Sequence, residues 1–265
     1  MNLFWREIKA NRKALIIWCL GILFMVVSGM AKYSAYQSTG QSINELIGQM
    51  PKSLQAILGM DSLNLSTSTG FYGMLFIYLL MMAAIHALML GANIIAKEEQ
   101  DHTAEFLMAK PISRMQIVTA KLLAGLVNIV IFNLVTLILS LAMVNHYMKH
   151  GESLNDVYLL LAGMLMVQLM FLGLGTGIAA AGKRPKRAGA LGTAILLVMY
   201  MLSIAIDLNK NITLLKYLTP FKYFEAKKVL ADGSLDAVNV GLSLVVIAVL
   251  VIVTYVSYQK RDLRV

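Results

Sequence analysis

Six windows along the chain carry no Asp, Glu, Lys or Arg: residues 14–31, 62–96, 122–148, 157–182, 188–206 and 237–259. Each is about as long as the roughly 20 residues that a helix needs to cross the hydrocarbon core of a bilayer. Apolar residues run continuously through them without period-two alternation, so the pattern predicts membrane-spanning helices rather than the strands of an outer-membrane barrel. The expected architecture is all-α and integral to the membrane. It is one transmembrane domain over residues 1–265, with six transmembrane helices at 14–31, 71–96, 122–144, 157–181, 188–206 and 238–258.

The composition agrees with that reading, since 58% of residues are hydrophobic, 14% are charged and the mean hydropathy is +0.72, beyond what a water-soluble domain hides. Cys19 lies inside the first window, which leaves no disulfide framework and no zinc-type cysteine pair. Trp18 before it does not suit a lipoprotein acylation site. The net charge of +9 matters less than where it sits. If the first helix crosses outward, the segments left inside hold about 15 of the 23 Lys and Arg. These include Arg6, Lys9, Arg12 and Lys13, the run Lys183, Arg184, Lys186 and Arg187, and Lys260, Arg261 and Arg264. The distribution predicts both termini in the cytoplasm and gives no reason to invoke nucleic acid. Only the last outside loop pulls the other way, with Lys210, Lys216, Lys222, Lys227 and Lys228.

The first window is longer than the apolar core of a signal peptide and lacks an A-x-A site, so it is expected to be retained as a span. Ahead of it, Leu3, Phe4, Trp5 and Ile8 alternate with Arg6, Glu7 and Lys9. That fits an amphipathic helix lying in the membrane interface, or an unstructured basic anchor. The first outside loop, about 32–70, is long and polar. The second, about 145–156, is tight, with Asn155 and Asp156 as expected caps for the fourth span, so spans three and four are expected to be antiparallel neighbours. In the third, about 207–236, Leu214, Tyr217, Phe221, Tyr223 and Phe224 interleave with lysines around Pro220, as in a segment lying at headgroup level.

The most informative stretch joins spans two and three, from Lys97 to Arg114. Thr103, Glu105, Phe106 and Leu107 suit a short helix that must stop near Lys110, because the residue before a proline is pushed out of the α region. Ser113 can then cap the next helix. The stretch reads either as a solvated connector or as a docking element, with Phe106, Leu107 and Ile112 as an apolar anchor inside a charged rim.

The pattern Glu98-Glu99, Thr103, Glu105-Phe106-Leu107, Lys110-Pro111-Ile112-Ser113-Arg114 and Lys121 resembles the segment after the second span of ABC-2 type ABC transporter permeases. Tyr217 to Phe224 resembles the segment before their last span. Span number, loop sizes and topology are similar over the whole chain, and the sharp motifs cover about thirty residues. The resemblance implies a cytoplasmic coupling helix between helices 2 and 3 that fits a groove on a separate ATPase subunit. It places Glu98, Glu99, Glu105, Phe106, Leu107, Pro111, Ile112 and Arg114 in that coupling region. It further implies two copies of a cytoplasmic ABC ATPase subunit that bind ATP and Mg, and a second permease subunit, either the same chain or a close paralogue. The setting implied is the cell membrane of a bacterium.

Gly177 to Arg184 nearly matches a phosphate-binding loop, but Arg184 replaces the magnesium-binding hydroxyl and the segment ends a span rather than opening a helix after a strand. No cofactor is therefore expected in this chain, and any ATP chemistry belongs to the partner. Gly163, Gly173, Gly175 and Gly177 include a spacing of four that lets two helix backbones approach closely, within the subunit or at a dimer face. Met74, Met81, Met82 and Met89 fall on one side of span two. Flexible thioethers suit a surface that repacks against varied cargo, and suit ordinary packing equally well. With His86, the ionisable group deep in a span, they are the candidate substrate-path residues. Asn93, Asn128, Asn133 and Gln168 are expected to hydrogen-bond between helices.

These readings favour the permease subunit of an exporter that moves a hydrophobic or amphipathic substrate, such as a peptide, lipid-like molecule or antibiotic. The alternative is an ion-coupled secondary transporter, which would want paired carboxylates within the spans; none are present. An intramembrane enzyme would want a Ser-His pair, a Cys-His pair or an HExxH motif, and the spans offer none of these.

Overall fold

The computed structural model describes residues 3–38, 47–60, 63–101, 103, 112–148, 152–182 and 187–261. Six long helices dominate it: α1 (Leu3–Ser38), α3 (Ser68–Gln100), α4 (Arg114–Tyr147), α5 (Asn155–Ala181), α6 (Ala188–Leu208) and α8 (Ala237–Lys260). All six are long and apolar enough to cross a membrane. Two short helices, α2 (Lys52–Ile57) and α7 (Ala226–Asp232), lie in the first and last connections.

Helices α3 and α5 form the core. In the most apolar stretch of each, 61% of residues are buried, against 11% in α8. The two pack along each other, α1 packs mainly on α4, and α8 packs mainly on α5. This arrangement follows from side-chain size. On α3, Ala83, Ala87 and Gly91 recur every fourth residue on one buried face, and on α5 Gly175 meets the α3 backbone at Leu88 and Ala92, while Gly173 and Gly177 face Leu250 and Thr254 of α8 and Gly163 makes room for Phe224. Small residues let helices approach in lipid, where burial of apolar area gives no preference between protein and solvent. The expected close approach of α5 is thus made inside the subunit.

The helix starts are set by local chemistry. Thr67 caps α3 through Gly70 N–H, 3.1 Å away, and Glu152 brings a carboxylate to the backbone N–H groups of Ser68 and Thr69 at 3.0 and 3.4 Å. The negative charge thus sits at the positive end of a 33-residue helix. Ser113 caps α4 as expected, in a reciprocal box with Gln116. Asn155 and Asp156 do not cap α5: the N-cap position is Leu154 without a side-chain bond, and Ser153 Oγ instead accepts from Asn155 N–H.

One expectation about a surface segment is corrected. No separate interfacial helix precedes the first span, because residues 3–13 continue α1 without a break. At 36 residues α1 is about 54 Å long, well beyond a 30 Å hydrocarbon core. The apolar residues Leu3, Phe4 and Ile8 turn toward the protein, onto the cluster that includes Ile95, Ile117 and Ala180, and leave Trp5 outside. The segment after α6 is partly exposed and partly packed into the bundle. Leu214 and Leu218 are exposed, but Phe221, Tyr223 and Phe224 are buried, with Phe224 seated over Gly163 of α5. Lys222 is drawn in with them and pairs with Asp207 and Glu225, while Lys227 pairs with Asp207 and Lys228 with Glu225.

Candidate coupling site

The α3–α4 connection begins and ends on a buried ionic joint at the end of the bundle where α1 starts. Glu98, in the last turn of α3, is 6% exposed, and Lys121, two turns into α4, is wholly buried. Lys121 Nζ donates to both Glu98 carboxylate oxygens at 2.8 and 2.9 Å and also to the carbonyl of Ile94. Arg6 of α1 donates to Glu98 at 2.7 Å and to Glu7 at 2.9 Å, and Glu7 lies 3.5 Å from Lys121. Two acids and two bases therefore balance across three helices. Charges this far from water persist only when paired and hydrogen-bonded. Glu7 Oε2 has no hydrogen-bond partner among the described residues, so the pairing is not fully saturated.

A second set of contacts ties in the other end of the chain. Glu99 pairs with Arg261 just beyond α8 at 2.9 Å, and Arg261 also donates to the carbonyl of Ala179 at the end of α5. Arg114, at the start of α4, donates to the carbonyls of Gln259 and Arg261 at 2.8 and 2.7 Å. Through these bonds α1, α3, α4, α5 and α8 all meet at the base of one connection.

Of the residues expected in the coupling region, the structure brings Glu98, Glu99 and Arg114 together in this joint, with their charges spent inside the chain. Ile112 packs on the apolar cluster behind it. Glu105, Phe106, Leu107 and Pro111 lie outside the described residues. Sequence reasoning missed Arg6, Glu7 and Arg261 as members of the joint. A signal for Glu7 was available, since it is the acid among four bases ahead of the first charge-free window.

The residues singled out on α3 separate. Met74 and Met82 line a groove facing α1, Met81 packs against the core, and Met89 is 40% exposed. His86 is 3% exposed, stacked on Phe132 at 4.7 Å between ring centroids and tilted against Trp18 at 5.5 Å. It thus bridges α1, α3 and α4 as a packing element. Gln168 accepts from Asn133 across α4 and α5, as expected of intramembrane amides, whereas Asn128 bonds back to the carbonyl of Ala124 on its own helix.

Six helices long and apolar enough to cross a membrane fit a multi-pass membrane protein. A family model described as ABC-2 family transporter protein matches residues 1–263, and the chain belongs to that family. Permeases of this family work in a membrane with ABC ATPase partners and are transport components rather than enzymes. No curated protein matches the chain at a significant level.

Proposed function

We propose that the chain is the membrane subunit of an ATP-driven exporter that carries a hydrophobic or amphipathic substrate outward across a bacterial plasma membrane. Two such subunits, identical or closely related, sit above two cytoplasmic ATPase subunits, which bind ATP and Mg. This chain performs no covalent chemistry. Both termini and the α3–α4 connection face the cytoplasm.

The observation that carries this reading is the anchoring of the α3–α4 connection at both ends, by Glu98 and Glu99 on one side and Arg114 on the other. A force applied to a connection rooted in one helix would bend that helix alone. Here the ion pairs and charge-assisted bonds to Lys121, Arg6 and Arg261 pass displacement on to α1, α4, α5 and α8. Phe106 and Leu107 supply the apolar contact with the ATPase, and nucleotide-driven closure of the two ATPases pushes through them.

The test is co-purification from the native membrane in mild detergent. The wild-type chain is expected to bring down an ATPase with a Walker motif, and Phe106→Asp is expected to lose it while eluting from the sizing column as the wild type does. Truncating or charging an apolar anchor at the centre of an interface costs about 2 kcal/mol or more, enough to weaken the affinity some thirtyfold. A chain that purifies alone, or a Phe106→Asp chain that keeps the ATPase, overturns the proposal.

A further inference from the structure

At the end of the bundle away from the ionic joint, a groove of about 650 Å³ opens between the second half of α1 and the first half of α3, roofed by the segment around α2. Its volume lies within the roughly 300–1,000 Å³ of sites that hold one small molecule. Met25, Met50, Met60, Met74 and Met82 all face it, contributed by α1, α3 and the roof. Clustered unbranched thioethers make a wall that adapts to a flexible apolar body instead of fitting one rigid shape. The roof is itself fixed. Gln55 Nε2 donates to the carbonyls of Ile47 and Met50, both at 2.9 Å, and Tyr33 OH donates to the carbonyl of Ser66 at 2.9 Å.

The Tyr78 hydroxyl of α3 donates to the carbonyl of Leu58, while the charged group of the groove lies on the α1 side. Ser28 and Lys32 lie one turn apart there, and no acid lines the groove among the described residues. A cation at one end of an otherwise apolar trough complements one charge pattern, an acidic head joined to an apolar tail. A single trough between two helices takes a single tail.

We propose that this groove binds a single-tailed anionic amphiphile, with its tail along the methionines and its acidic head at Lys32. As a cargo site it rests on the export reading above, whereas binding itself needs only the permease. A failure of either proposal is therefore distinguishable from a failure of the other. A two-tailed phospholipid taken from the bilayer is the competing occupant, and the test separates the two.

The full chain is reconstituted in nanodiscs of zwitterionic lipid and exposed to dodecyl phosphate carrying a photoactivatable tail, or to a dodecyl glucoside carrying the same tail. Labelled positions are read by peptide mass spectrometry. The phosphate is expected to label the groove methionines about tenfold more efficiently than the glucoside, the size of one charge-assisted contact. Lys32→Gln, at an exposed position, should remove that preference and leave glucoside labelling unchanged, and Ser28→Trp should block both probes. Label spread evenly over the outward faces of α4 and α8 overturns the proposal. So does equal labelling by both probes, or displacement of the phosphate probe by phosphatidylglycerol at equal concentration.

Discussion

Lys121→Met is expected to destabilise the chain by about 3–5 kcal/mol, the usual cost of stranding a buried charge by removing its partner. Lys121 is wholly buried, donates to Glu98 and lies 3.5 Å from the Glu7 carboxylate. Without it, two carboxylates face a single arginine whose side chain is 38% exposed. The loss should be visible as a lowered midpoint in a reversible detergent-titration unfolding experiment in mixed micelles. The compensated variant, Lys121→Met with Glu98→Gln, keeps Arg6 and Glu7 paired and should recover most of the loss, because replacing both members of a buried pair is often close to neutral. Such a recovery separates a lost charge balance from a packing defect at position 121. A single variant within about 0.5 kcal/mol of wild type would mean that water reaches the joint and the pairing carries little.

The joint also shows where sequence reasoning stops. Its position was legible, because Glu98 and Lys121 flank the connection that carries the sharpest motif and lie at the facing ends of consecutive spans. Its composition was only partly so, since Arg6 is 92 positions from Glu98 and Arg261 is 162 from Glu99, and no local pattern reports such pairings. The spans themselves were the easiest part. Each charge-free window overlaps one of the six long helices, because exclusion of charge over twenty residues has few physical explanations other than a bilayer. Helix ends were harder. Ser113 announced itself through the reciprocal Gln116, whereas Asn155 and Asp156 had the right chemistry one position too late, and Glu152 capped a different helix from the one it precedes. The lysine-rich segment after α6 stays an exception to the charge rule, which counts Lys and Arg and not net charge. What the sequence could not show is that Lys222, Lys227 and Lys228 pair with Asp207 and Glu225.

Gly91→Ala and Gly175→Ala are each expected to destabilise the chain, where the same change at Gly189 or Gly241 is expected to stabilise it. All four glycines lie inside helices, and exchanging glycine for alanine in a helix normally gains about 0.5–1 kcal/mol. The sign reverses at the α3–α5 seam because of what a methyl group would meet. At Gly91 a Cβ would lie 2.4 Å from the carbonyl oxygen of Leu172, and at Gly175 it would lie 2.3 Å from that of Leu88. Both obstacles are backbone atoms, which cannot swing aside as a side chain can, so the two helices must separate. Overpacking of this kind costs about 1–3 kcal/mol and here spreads along the most buried contact in the bundle. Around Gly189 and Gly241 nothing lies within 4 Å, so only the backbone preference remains. The Gly91→Ala/Gly175→Ala double variant should cost less than the sum of the two single changes, since the first methyl already forces the separation that the second would need. Thermal unfolding of the four single variants and the double variant in one detergent tests all of this. If Gly91→Ala matched Gly241→Ala, α3 and α5 would not be in backbone contact in the membrane, and the core of the fold would lie elsewhere.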